Sequence, residues 1–195
     1  MKSVRLMLAG VQSESPKILS RSLNATATKT RTEGSKEIRK QVNLKAAYVR
    51  SRLTLRKASQ NKLSASIATP VRGLLLSHYS TDRQIAGSNV SWIKPPKVPA
   101  RGIRVKVSAG SGTKVVTGGD EIKGKPFYMV LPNSRRVAIV GRRASAGSSG
   151  GKIKVLYGPS LSQVFDDVVG DLSEPMNVYL AEQIEKNTDA VLRGY

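Results

Sequence analysis

Few residues in this sequence could do chemistry. His78 is the only histidine, set in Leu74-Leu75-Leu76-Ser77-His78-Tyr79. A packed or surface imidazole is the expectation there, because the chain supplies no partners for a zinc site or a catalytic triad. Asp120-Glu121 and Asp166-Asp167 are adjacent acids. Neighbours on a loop or helix point apart, so neither makes an acid–base couple, and the second pair reads as the wet face of a helix. Gly150-Gly151-Lys152 resembles the end of a phosphate-binding loop, but Ala146 stands where that motif needs Gly and Ile153 where it needs Ser or Thr. The loop also lies between two expected strands, whereas a phosphate loop leads into a helix. Cysteine is absent, which removes disulfides and thiolate metal sites. No catalytic residue, metal ligand or cofactor is expected.

Charge is the stronger signal. Net charge is +20, and it is unevenly spread. Residues 1–60 carry 14 Lys+Arg against 3 Asp+Glu, residues 61–157 carry 17 against 3, and residues 158–195 carry 2 against 7. A basic body ends in an acidic segment, which points to a polyanion, or to an acidic protein surface, as partner. In an oligomer, one copy's acidic end could lie against the next copy's basic body. Arg135, Arg136, Arg142 and Arg143 bracket one strand, and Lys152 and Lys154 lie on its expected hairpin partner; these six are the candidate subunit or DNA contacts. Aromatic residues make up only 5% of the chain, so stacking platforms for single strands are scarce.

The elements that would position these residues suggest an α+β fold: long N-terminal helices, a central, mostly antiparallel β-sheet with long loops, and C-terminal helices packed on it. The expected divisions of this one domain are an N-terminal tail (1–15), a helical arm (16–60), a β-rich core (61–157) and C-terminal helices (158–195). Pro16 suits the first turn of a helix reaching Val42, with a thin stripe through Leu19, Leu23, Ala27, Thr30, Gly34 and Ile38. Asn43 is placed to cap a second helix. Leu53 and Leu55, then Leu63, Ala65 and Ile67, read as strands. Ile103, Val105 and Val107 alternate with Arg104 and Lys106 in a half-buried strand. Phe127–Leu131 and Val137–Val140 flank a turn at Pro132-Asn133-Ser134. Mobile loops are expected at 84–101, which holds Trp92, at 108–119 and at 144–151. No apolar run approaches the roughly 20 residues that span a bilayer. Val4–Val11 follows Lys2, but it is short, Arg5 interrupts it, and no cleavage site follows, so an export signal is not expected.

The most consistent stretch is Lys152–Gly170. Ile153, Val155 and Tyr157 form one face of a strand, and Gly158-Pro159 stops it. Ser160 with Gln163 makes a capping box for a helix striped by Leu161, Val164, Phe165, Val168 and Val169. Gly170 reads as that helix's stop, and Asp171 with Glu174 as a second capping box for a last helix. Gly158, Pro159 and Ser160 are thus a structural corner between the β-body and the helical end.

Leu156-Tyr157-Gly158-Pro159-Ser160-Leu161, followed by Val164-Phe165, resembles the signature of the lambda-type phage minor tail protein Z (tail completion protein) family. Gly102-Ile103-Arg104-Val105-Lys106-Val107 is similar to that family's Gly-Val-x-Val-x-Val strand. Other segments agree in order over residues 16–185. The resemblance implies a structural virion protein, not an enzyme, assembled in the host cytoplasm. It implies a neck or tail-completion protein, a ring of six copies at the head-proximal end of the tail, joining tail to head. Tail terminator, tail tube and head connector proteins would be its partners, with DNA in the channel. The competing reading is a basic nucleic-acid-binding protein of ribosomal or nucleoid type.

Overall fold

The computed structural model describes residues 2–82, 85, 93–144 and 152–193, with the backbone alone for residues 2–13. Its elements are helices α1 (Lys2–Gln41) and α2 (Ala46–Arg52), strands β1 (Thr54–Arg56) and β2 (Ser66–Ala68), and a 3-10 turn at Leu76–Tyr79. Strands β3 (Arg104–Val105), β4 (Lys114–Val115), β5 (Ile122–Val130), β6 (Val137–Arg143) and β7 (Ile153–Val155) follow, then helix α3 (Leu161–Leu192). The order and mixture are those of the expected α+β fold. The chain divides into two compact units, the described parts of Met1–Ile38, Val49–Thr69 and Phe165–Tyr195, and those of Arg39–Tyr48 and Pro70–Val164.

In the helical unit, α1 and α3 run antiparallel. A Cβ on Gly34 would meet the Phe165 ring at 2.9 Å. The Lys29 ammonium sits 3.6 Å from the centroid of the Tyr179 ring, and Asn187 Nδ2 donates to Ser22 Oγ at 2.8 Å. The α1 stripe is thin because it is partly polar. Ser22 and Ser35 are buried beside Ile18 and Ile38, so contact rests on close approach and hydrogen bonds more than on large side chains. Within the helix Thr28, Thr30 and Thr32 satisfy their hydroxyls by donating to the carbonyls four residues back. Asn24 acts as a latch. Its Nδ2 donates to the Ala58 carbonyl at 3.0 Å, and the Ala58 N–H donates to its Oδ1 at 2.7 Å. The chain leaving β1 is thereby held to α1, while β1 pairs antiparallel with β2, Leu55 opposite Ile67.

The β unit is built on β6. It pairs antiparallel with β5 on one side and β7 on the other, and residues 137–141 are all buried. β3 and β4 form a separate antiparallel pair. Ile103 and Val105 are buried while Arg104 is exposed, the alternation the sequence suggests. β5 starts earlier than expected. Gly124, at φ 79, and Pro126 lie in a bulge between Lys123 and Phe127, so a residue without an N–H is accommodated inside a strand. Gly141 leaves the space that the Ile122 side chain fills.

Four expectations are corrected. α1 begins at Lys2, not Pro16, so residues 2–15 are part of the helix; the Glu14–Lys17 ion pair at 2.7 Å spans the proline. Asn43 does not cap α2, because its N–H donates to the Val107 carbonyl in a ladder contact and the helix starts at Ala46. Gly170 does not stop a helix, nor do Asp171 and Glu174 start one. α3 is continuous through Gly170 and Pro175. Finally, the 108–119 stretch contains β4. Trp92 and residues 145–151, most of the expected hairpin tip, lie outside the described residues.

Candidate interaction surface

His78 belongs to the 3-10 turn, and its ring lies 4.5 Å, centroid to centroid, from that of Tyr48. This is packing of the kind expected from the apolar run. Glu121 forms an ion pair with Lys154, while Asp166 and Asp167 are exposed on α3. Lys152 leads into β7 rather than a helix, unlike the lysine of a phosphate loop. Among the described residues no group of three or more His, Asp or Glu side chains is placed to hold a metal.

The corner is tightly built. Gly158 N–H donates to the Leu74 carbonyl at 2.7 Å, and Leu76 N–H to the Leu156 carbonyl at 3.0 Å. The strand thus continues past β7 against the segment 74–76, with Leu75 opposite Tyr157. Gly158 and Gly73 are each needed for space. A Cβ on Gly158 would press on the Tyr79 ring, and a Cβ on Gly73 would lie 2.9 Å from the Gly158 carbonyl oxygen. Tyr79 is 1% exposed. Burial, with a smaller contribution from neighbouring Tyr48, holds its phenol well above the usual tyrosine range. Burial also raises Tyr128. Ser160 Oγ accepts from the Gln163 N–H at 3.1 Å, and Gln163 Oε1 accepts from the Ser160 N–H at 3.4 Å. The expected capping box is therefore present, and it satisfies backbone donors at the start of α3.

The six basic candidates separate into two places. Arg135 and Arg136 sit at the β5–β6 turn, and Arg142 and Arg143 at the other end of β6, roughly 20 Å away at strand rise. Arg143 N–H donates to the Lys152 carbonyl, and Gly141 pairs with Lys154, so Arg142, Arg143, Lys152 and Lys154 lie at one end of the sheet, with Arg142 on the face opposite to Arg143 and Lys154. Lys123, which sequence reasoning passed over, pairs directly with Arg142, and Arg142 with Ile153. Lys123, Arg142 and Ile153 therefore form one exposed row across three strands. Two like charges directly opposite one another weaken a sheet, so folding alone does not favour this arrangement.

An acidic counterpart lies on α3. Asp167, Asp171, Glu174, Val178, Glu182, Glu185 and Asp189 recur at steps of three or four, and all are exposed. They form a stripe about 33 Å long. None of the six acids is in an ion pair among the described residues. Each like-charged step costs about 0.2–0.5 kcal/mol of helix stability. The pattern is present in the sequence, but a helix stop at Gly170 hides it by breaking the register between Asp167 and Asp171.

A family model described as prophage minor tail protein Z (GPZ) matches residues 6–195, nearly the whole chain. The chain belongs to the prophage minor tail protein Z family. Its function class is thus that of a minor component of a phage tail, and the ordered segments noted above, from the first helix to the Gly158 corner, all fall within the match. Comparison with curated proteins and with solved structures found no significant match. Among the described residues no helix is long and apolar enough to cross a membrane.

Proposed function

We propose that this protein completes the phage tail at its head-proximal end, as a ring of six identical copies that joins tail to head. The observation that carries the reading is the family match across residues 6–195. The segregated charge supports it. A basic sheet end and an acidic helix stripe on one chain give each copy two unlike surfaces, as a head-to-tail ring requires. The protein acts by binding rather than turnover, with tail terminator, tail tube and head connector proteins as neighbours. DNA passing through the channel would meet some of the basic surface.

The test is to image tails assembled with and without this protein, and to count heads joined in each case. Tails made without it should fail to join heads, and adding purified protein should restore joining. Normal joining in its absence overturns the proposal. Binding of the isolated monomer to duplex DNA, tight and salt-sensitive, with no effect on tails, would favour the nucleic-acid-binding alternative.

A further inference from the structure

We propose that the exposed row Lys123–Arg142–Ile153 docks the acidic stripe of α3 from a second copy of this chain. The spacing fits. Cross-strand neighbours stand about 4.5–5.5 Å apart, and residues three or four apart on a helix about 5–6 Å apart. A helix lying across the strands therefore sets one stripe residue over each strand. The order fits as well. The row reads cation, cation, apolar, and the stripe reads acid, acid, apolar when followed toward Val178 from either end. Val178 is 55% exposed and Ile153 is 42% exposed, so seating one on the other buries both while acids meet Arg142 and Lys123.

A second copy is favoured over DNA as the occupant. A phosphate backbone would use the two cations but leave Ile153 in water and the acidic stripe unmatched. The contact joins two different surfaces, so it repeats from copy to copy and can close a ring. It takes up the copy-to-copy contact of the proposed function but does not depend on where in the tail the ring sits. Failure of head joining and failure of this contact are therefore read separately.

The experiment is sedimentation of the purified full-length chain over a range of concentrations, from about 0.05 M to about 0.5 M salt. Self-association should weaken as salt rises. Lys123→Glu with Arg142→Glu should weaken it at least about tenfold, and so should Glu174→Lys with Glu182→Lys, which reverses both flanks of Val178 whichever way the helix lies. Mixing the two variants should restore pairwise association to near the wild-type value, because the row variant keeps an intact acidic stripe and the stripe variant keeps an intact row. Circular dichroism checks folding; if a reversal does not fold, Lys123→Gln with Arg142→Gln takes its place, expected to weaken association less. The proposal is overturned if the wild type stays monomeric throughout, if the row variants associate normally, or if mixing restores nothing. It is also overturned if reversing the row abolishes binding of a labelled DNA duplex and leaves self-association intact.

Discussion

The ring of Tyr79 occupies the space in which Gly158 would carry a side chain: a Cβ at Gly158 would lie 2.5 Å from Tyr79 Cε2. Gly158 is not at positive φ, so the requirement is steric rather than conformational. Tyr79 is a large, fully buried side chain and has little room to retreat. Gly158→Ala should destabilise the protein by about 1–3 kcal/mol, and Gly158→Val by more. Urea unfolding measures both, and an unchanged midpoint for Gly158→Ala would remove the steric account. Tyr79→Leu should recover part of the loss, because the obstructing ring is gone.

The corner's other device is Ser160. Its hydroxyl caps the first turn of α3 and is itself buried. Ser160→Ala should lower stability by about 0.5–2 kcal/mol, whereas Ser160→Thr, which keeps the acceptor and the hydroxyl that donates to Gln163 Oε1, should lose less. Equal losses in thermal unfolding would mean that packing, not capping, sets the residue.

What was legible in the sequence is what local rules decide. The capping box needs only Ser160 and Gln163, and the β3 alternation needs only Ile103 to Val107. What escaped depends on distant residues. Nothing near Gly158 names Tyr79, far back in the chain, as the reason for the glycine. Nothing near Ile122 names Gly141 as the residue that makes room for it. Lys123 joins Arg142 only through the register of β5 on β6. Gly170 misled because a glycine after an apolar stripe is ordinarily a stop, and here the helix on both sides carries it through.

Gly170 therefore gives a test of opposite sign. It lies inside α3, and a Cβ added to it would meet nothing within 4 Å. Gly170→Ala should stabilise the protein by about 0.5–1 kcal/mol, through the helix propensity and lower unfolded-state freedom of alanine. A helix that ended here with glycine in a left-handed cap would instead be destabilised, so the sign of the change in unfolding midpoint decides between the two.

Tyr79 also sets an alkaline limit. Its phenol is raised from 10.0 in the folded state by burial. Above that value the unfolded chain gives up the proton before the folded chain does, so unfolding is increasingly favoured as pH rises. The stability held by the neutral phenol is complete below about pH 10 and is lost progressively above it. Tyr79→Phe should flatten the decline in stability measured from about pH 9 to about pH 11, with a small change at neutral pH because the hydroxyl's contact with the Pro159 carbonyl is long, at 3.5 Å. A decline of unchanged steepness would assign the limit to another group, with Tyr128, also raised by burial, the next to replace.

Arg135 is the one described non-glycine residue at positive φ, 52°. It closes the β5–β6 turn, its N–H donating to the Leu131 carbonyl at 2.9 Å while the Leu131 N–H donates to the Arg136 carbonyl. The left-handed region costs a side chain such as arginine about 1 kcal/mol, and glycine almost nothing. Arg135 is exposed, so its side chain recovers little of that cost through packing. Arg135→Gly should therefore raise stability by up to about 1 kcal/mol, offset in part by the freedom glycine adds to the unfolded chain. Arg135→Ala, which keeps the strain and removes the charge, separates backbone from electrostatics. If Ala stabilises as much as Gly, crowding of Arg135 with Arg136 is the cause, and the backbone account fails. If only Gly stabilises, the chain keeps an arginine here against its conformational preference, and head-joining activity of Arg135→Gly then measures what that side chain does in assembly.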